Sequence, residues 1–298
     1  MNTRARTMVE WPTLCLVLVC YAVWALATTW LASLWLPLGV IVASIAIALF
    51  SSLQHEVLHG HPFRNKTLNE ALVFPSLTLF IPYLRFRDTH LDHHLDSDLT
   101  DPYDDPESNY LDPAVWQTLT PALKAVMMFN NTLLGRLLIG SAISQVAFMR
   151  NDWRSIRAGD RQVTLGWLWH IPSVILVLVW LAVAGQMPFW AYILAAYAGL
   201  SIVKIRTFLE HQAHARVAGR TVIIEDRGLL AFLFLNNNFH AVHHAHPKVP
   251  WYRLPRLYFT NKDRFLLRNG GYVYRSYGQI FYQHLFRRKD QVPHPFWR

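Results

Sequence analysis

The sequence predicts an all-α integral membrane protein, with four transmembrane helices arranged as two hairpins and a cytoplasmic helical cap. Three observations predict it. Residues 11–54 and 163–203 contain no Asp, Glu, Lys or Arg. Each stretch is about twice the roughly 20 residues that cross a hydrocarbon core. Basic residues gather at one end of both stretches, and histidines recur in spaced sets at that same end.

A basic tail, residues 1–10, carries Arg4 and Arg6 and leads into a first span near 12–35. Trp11, Trp30 and Trp35 suit the interfacial aromatic belt. Leu36-Pro37-Leu38-Gly39 is turn chemistry, and a second span near 39–60 follows. Residues 72–86 are apolar but short and broken by Pro75 and Pro82, so they fit a segment lying in the interface or re-entering it. Arg85 and Arg87 then hold the next helix at the surface. An acidic loop with Asp96, Asp98, Asp101, Asp104, Asp105 and Glu107 comes after it. Between 114 and 149 only Lys124 and Arg136 are charged, and Pro121 opens a helix. Two amphipathic helices on the membrane surface are expected there, because a fifth and sixth span would put the histidine sets on opposite sides of the bilayer. The second hairpin supplies spans near 164–184 and 188–208, with Gly185-Gln186-Met187-Pro188 as its turn.

Both hairpin turns are uncharged, whereas Arg64, Lys66, Lys204 and Arg206 lie at the opposite ends. Both termini are therefore placed in the cytoplasm, and residues 61–162 and 209–298 form the cap of a single domain, 1–298. From residue 204 onward there are 16 Lys and Arg against 5 Asp and Glu, within a net charge of +9. That surplus suits anionic headgroups, an acidic protein, or plain positive-inside bias. No nucleic-acid motif accompanies it. The tail from Pro250 to Arg298 alternates aromatic and basic residues and reads as a surface lid. Two cysteines, Cys15 and Cys20, both lie inside the first span, which excludes a disulfide framework and a thiolate metal site. The first apolar run continues into a second without a small-residue cleavage site, so a cleaved signal peptide is not expected.

The chemistry lies in the histidines. His240, His243 and His244 have the spacing H-x-x-H-H, and so do His90, His93 and His94. Positions i, i+3 and i+4 share one helix face. His55 and His59 stand one helical turn apart, with His61 just beyond. Eight of the 15 histidines fall in these sets. Imidazole is a ligand for iron, zinc, copper and nickel, and eight ligands are more than one tetrahedral zinc takes. Two metal ions are expected, so the cap carries a histidine-rich di-metal site. Imidazoles bind in their neutral form, so acidification weakens loading. After the fourth span, either His211 or His214 could reach the metals. Asp92, Glu56 and the acidic loop are eligible to bond the distal nitrogens of the ligands. Asn236, Asn237 and Asn238 could make a turn or bond a metal-bound water, although helix capping is the simplest role.

With these sets in order, the chain resembles the membrane fatty acid desaturase superfamily, which includes acyl desaturases and integral-membrane alkane hydroxylases. The matching pieces are His55-Glu56-Val57-Leu58-His59, Thr89-His90-Leu91-Asp92-His93-His94, the run Asp101-Pro102-Tyr103-Asp104-Asp105-Pro106-Glu107-Ser108, Phe208-Leu209-Glu210-His211, and His240-Ala241-Val242-His243-His244. The resemblance implies two non-haem irons, O2 as co-substrate, and two electrons from a separate donor of the ferredoxin, rubredoxin or b-type cytochrome class. It implies a lipid or hydrocarbon substrate and a multi-pass location, the inner membrane in a bacterium, with a cytoplasmic active site. His55, His59, His90, His93, His94, His240, His243 and His244 are the implied ligands. Leu209-Glu210-His211 looks like an alkane-hydroxylase element and favours His211 over His214 as a ninth. O2-dependent desaturation of a fatty acyl or related chain is the expected reaction, with no catalytic residue beyond the metal centre. Hydroxylation is the alternative, because many acyl-CoA desaturases have one more residue between the first two histidines.

Other classes explain less. His55-Glu56-Val57-Leu58-His59 is also the H-E-x-x-H of helical zinc proteases, with Glu56 as general base, but that leaves six histidines without a role. A metal transporter places ionisable groups at the bilayer midplane. His170, beside Pro172, is the one such group, and it reads as packing or lining a substrate tunnel.

Overall fold

The computed structural model describes residues 9–95 and 99–297. Arg4, Arg6, Asp96, Asp98 and Arg298 lie outside the described residues. Among the described residues, five helices are long and apolar enough to cross a membrane: Trp11–Leu34, Leu36–Leu58, Leu133–Arg157, Arg161–Val183 and Phe189–Thr207. Four of them match the expected spans to within a few residues at each end. The chain divides into two compact units, Met1–Arg85 with Ser155–Leu200, and Phe86–Arg154 with Ser201–Arg298.

In the first unit, extended backbone at Trp35 (φ −159°) separates the first two helices, and Pro37 sits in the opening turn of the second. The hairpin packs tightly because residue 39 is glycine: a Cβ there would lie 2.8 Å from the Ala32 Cα and 2.9 Å from the Ala27 carbonyl oxygen. The second helix ends where Gly60 takes a φ of 96°, which a residue without Cβ adopts freely. Asp160 caps Arg161–Val183, its side chain accepting from the backbone N–H groups of Gln162 and Val163.

Residues 73–82 are irregular, as the short, proline-broken apolar stretch predicts. Irregular backbone among apolar helices needs internal partners for its carbonyls. Tyr192 donates to the Leu77 carbonyl at 2.8 Å, and the Tyr192 hydroxyl in turn accepts from Trp24 Nε1 at 3.0 Å. His170 donates from Nε2 to the Leu79 carbonyl at 3.0 Å. His170 therefore has a packing role, holding the irregular segment.

The fifth long helix, Leu133–Arg157, stands where the sequence predicts amphipathic surface helices. Pro113–Thr118 and Pro121–Asn130 are short and separate, each with proline in the first turn. Leu133–Arg157 is long because no proline or glycine pair interrupts it after Thr132, whose side chain caps its start. Its exposed face carries Leu138, Val146, Met149 and Trp153 at helical spacing, beside the exposed Arg150 and Arg154. One face is thus apolar and another charged.

In the second unit, Phe208, Leu209, Val222, Phe234, Tyr277 and Ile280 form one buried core, and Phe239, Val242, Leu254 and Tyr258 another. Ile223–Ile224 pairs in parallel with Val273–Tyr274. This short ladder supports the third histidine set from behind. Ile224 N–H donates to the Asn238 carbonyl at 2.8 Å and Ala241 N–H to the Val222 carbonyl at 3.0 Å. Leu235 and Asn236 take φ of 51° and 54°, so the asparagine run makes a left-handed turn. The following helix, His240–Ala245, has no side-chain cap, and the simplest expectation for those amides does not hold.

The atoms facing Gly39 are backbone and cannot swing away. Gly39→Val is expected to destabilise the first hairpin by roughly 1–3 kcal/mol through overpacking. A fall in the thermal midpoint of the detergent-solubilised protein checks it.

Candidate metal centre

The two H-x-x-H-H segments lie on the helices Tyr83–Leu95 and His240–Ala245, and both belong to the second unit from His90 onward. Each triplet divides between two groups. His90 and His94 join His243, with Nε2 of His94 3.0 Å from Nε2 of His90 and 3.2 Å from Nε2 of His243. His240 and His244 join His93 and His211: Nε2 of His211 is 3.0 Å from that of His93 and 3.1 Å from that of His240, and His244 Nε2 is 3.1 Å from His240 Nε2. The ligand atoms within this second group all lie within 4.8 Å of one another. In both segments the i, i+4 pair serves one group and the i+3 ring serves the other. The rings of His94 and His244 stack at 4.2 Å, so the groups adjoin.

The distal nitrogens decide what the converging ones can do. His90 Nδ1 lies 2.7 Å from Glu107 Oε1, and His93 Nδ1 lies 2.8 Å from Asp105 Oδ1. A carboxylate accepts only, so both Nδ1 atoms carry hydrogen and both Nε2 atoms can present a lone pair. His240 Nδ1 is 3.2 Å from Asn237 Oδ1, and the Asn237 amide is oriented because its nitrogen donates to Glu210 Oε1 at 3.1 Å. Glu210 is ion-paired to Arg206 at 2.9 Å. Lone pairs aimed at one point need a proton or a metal ion between them, and a cluster of nitrogen atoms this close together fits a metal ion. The ligand type, neutral nitrogen, suits a first-row transition metal.

Electrostatics point the same way. Burial, then the neighbouring imidazole of His240, hold His211 well below the ordinary imidazole range. Burial does the same for His240 and His244, each reinforced first by a neighbouring histidine of the group. Burial and then His90 lower His94 to about 3. All four are neutral and available as ligands at neutral pH. His93 differs, since burial is outweighed by Glu107 and Asp105, which raise it to about 9, so at neutral pH its Nε2 holds a proton that a metal ion must displace. A more basic nitrogen is a stronger donor to a metal.

The remaining expected residues fall as follows. In the first unit, His55 and His59 are buried at the end of Leu36–Leu58, with ring centroids 4.9 Å apart. Glu56 is buried beside them, and its Oε1 is 3.8 Å from His61 Nε2. His61 bonds Glu10 through Nδ1 at 2.7 Å. In the second unit, His214 Nδ1 accepts from the Arg216 N–H at 3.0 Å. Asn238 donates to the carbonyls of Ile224 at 2.6 Å and Asp226 at 3.0 Å. Asp92 is exposed. Sequence reasoning did not single out Glu210 and Asn237 as the pair behind His240, although Glu210 stands directly before His211 and Asn237 within the amide run.

The fatty acid desaturase family model matches residues 29–278, most of the chain, and all the histidine sets fall inside it. The chain belongs to the fatty acid desaturase family. No curated protein matches it.

Loss of a partner on the far side of a ligand typically costs 10–100-fold in metal affinity. Asp105→Asn and Glu107→Gln are each expected to weaken metal binding by about that factor, as measured by equilibrium dialysis, while Asp92→Asn leaves it unchanged.

Proposed function

We propose that this protein is a membrane-bound non-haem di-iron oxidoreductase that desaturates a fatty acyl or related lipid chain with O2. The observation that carries this reading is the division of the two H-x-x-H-H segments into two adjoining histidine groups, in a chain of the fatty acid desaturase family. His93, His211, His240 and His244 would hold one iron. His90, His94 and His243 would hold the other, with His55 and His59 completing it, as their spacing of one helical turn and the family order of the sets support. When bound, the irons supply the redox power that acid–base side chains lack for an unactivated C–H bond.

The residues of the chain do the rest. Asp105, Glu107 and Asn237 keep the hydrogen on the distal nitrogens of His93, His90 and His240 and fix the rings in place. Burial of His90, His93, His240 and His243 excludes water from the centre. The charge-free helices give an apolar chain access from lipid. Four spans remain the favoured topology, with Leu133–Arg157 on the membrane surface, because its exposed apolar stripe lies beside Arg150 and Arg154. The positive-inside distribution supports a cytoplasmic active site, which in a bacterial cell would face in from the inner membrane. Electrons would come from a separate ferredoxin, rubredoxin or b-type cytochrome, and the basic surface around Arg253, Arg256 and Arg264 suits an acidic donor.

Hydroxylation of an alkyl or acyl chain is the second reading, favoured by the three-residue interval between His55 and His59 and by the Leu209-Glu210-His211 element. Expression in a host with a competent donor, followed by lipid mass spectrometry under labelled O2, decides between them. The expected product has a double bond and no retained label, and the His240→Ala variant forms none. A labelled alcohol favours hydroxylation, and no new lipid with either protein overturns both.

A further inference from the structure

His211 differs from His93 and His240 in how it is aimed. His93 and His240 are fixed through Nδ1, whereas the buried Nδ1 of His211 has no hydrogen-bonding partner among the described residues. Its ring direction depends on its backbone. That backbone is held by the C-terminal segment, which the sequence reading leaves without a part in the chemistry. Lys289, with only 6% of its side chain exposed, donates from Nζ to the His211 carbonyl at 2.5 Å. Two residues on, the Ala213 N–H donates to the Tyr110 hydroxyl at 2.8 Å, and that hydroxyl donates to the carboxylate of Asp290. Nζ of Lys289 also sits 5.6 Å from the centre of the Tyr110 ring.

The same segment is fastened along its length. Lys289 N–H donates to the Asn131 carbonyl at 3.0 Å, and the Asn131 side chain donates to the Asp290 carbonyl at 2.9 Å. Leu111 N–H reaches the Val292 carbonyl at 3.0 Å, and His294 N–H reaches the Leu111 carbonyl at 2.8 Å. His294 Nε2 lies 3.2 Å from Thr100 Oγ1, and Thr100 N–H donates to Asp105 Oδ2 at 2.8 Å. Asp105 is the carboxylate behind His93. The segment thus reaches His211 directly through its carbonyl, and it also fastens the loop that carries Asp105 behind His93 and Glu107 behind His90.

We infer that residues 289–294 form a strap that positions the metal site of His93, His211, His240 and His244, with Lys289 as its positioning residue. The inference rests on the two-metal reading above and adds that the site of His211 is tied to the C-terminal segment through that residue's own carbonyl. A buried ammonium bonded to a carbonyl is a specific arrangement. Removing it frees the His211 carbonyl, whereas a guanidinium of similar reach can replace it.

Cobalt(II) titration of the metal-free full chain in detergent, followed by visible absorption, tests the strap. The wild type is expected to bind two equivalents, and His240→Ala identifies which belongs to this group. Lys289→Met is expected to weaken that equivalent by about 10–100-fold and change its absorption, leaving the other as it was. Lys289→Arg is expected to restore both. Two equivalents bound by Lys289→Met as tightly as by wild type, or both weakened together without rescue by arginine, would overturn the inference while leaving the two-metal reading intact. If Lys289→Met does not fold, Tyr110→Phe decides: selective weakening of the same equivalent supports the strap, and unchanged binding of both overturns it. A wild type that binds fewer than two equivalents removes the functional reading and the strap with it.

Discussion

An imidazole has two nitrogens, and fixing the hydrogen on one leaves a lone pair on the other. Everything distinctive in this molecule follows from that constraint being imposed on several rings at once. Asp105, Glu107 and Asn237 fix the hydrogens at the rear of His93, His90 and His240. The front nitrogens then converge to about 3 Å, where two lone pairs cannot face each other without a proton or a metal ion between them. The cost of holding them there is borne by the surrounding fold: a short parallel ladder behind His240–Ala245, two buried hydrophobic cores, and a C-terminal strap across the Asp105 loop.

The repeated H-x-x-H-H spacing acquires a geometric meaning in this frame. On one helix face, rings i and i+4 lie nearly above one another while ring i+3 is offset around the helix. Two helices that meet along such faces can share their rings reciprocally, a pair from one with a single ring from the other. His90, His94 and His243 form one such set, and His240, His244 and His93 the other, with His211 added. A single triplet could build neither group. Two copies build two adjoining groups.

Much of the fold was legible in the sequence because membrane spans depend on one strong signal, the absence of charge, and charge-free runs are unambiguous. Leu133–Arg157 was harder to read. Its apolar content suits a span and its face-to-face asymmetry suits a surface helix, and its unbroken length depends on the cap at Thr132, a local feature without a periodic signature. The histidine ligands stood out by spacing. Their partners were legible only as a set, the acidic loop with Asp92 and Glu56, because nothing marks Asp105 and Glu107 within that loop until the chain brings them behind His93 and His90. The asparagine run was misjudged for a related reason: capping is a local role, whereas Asn237 works through tertiary contacts with Glu210 and His240. Lys289 carried no signal, since a lysine in a basic tail gives no hint that it will be buried against a ligand's carbonyl.

The division of each triplet between two metals is the claim on which the rest stands. Crystals of the iron-reconstituted protein, measured at the iron absorption edge, test it most directly through the anomalous difference map. The account predicts two iron peaks, one enclosed by His93, His211, His240 and His244 and a second bounded by His90, His94 and His243. A single peak shared by all the rings, or none among them, would contradict it.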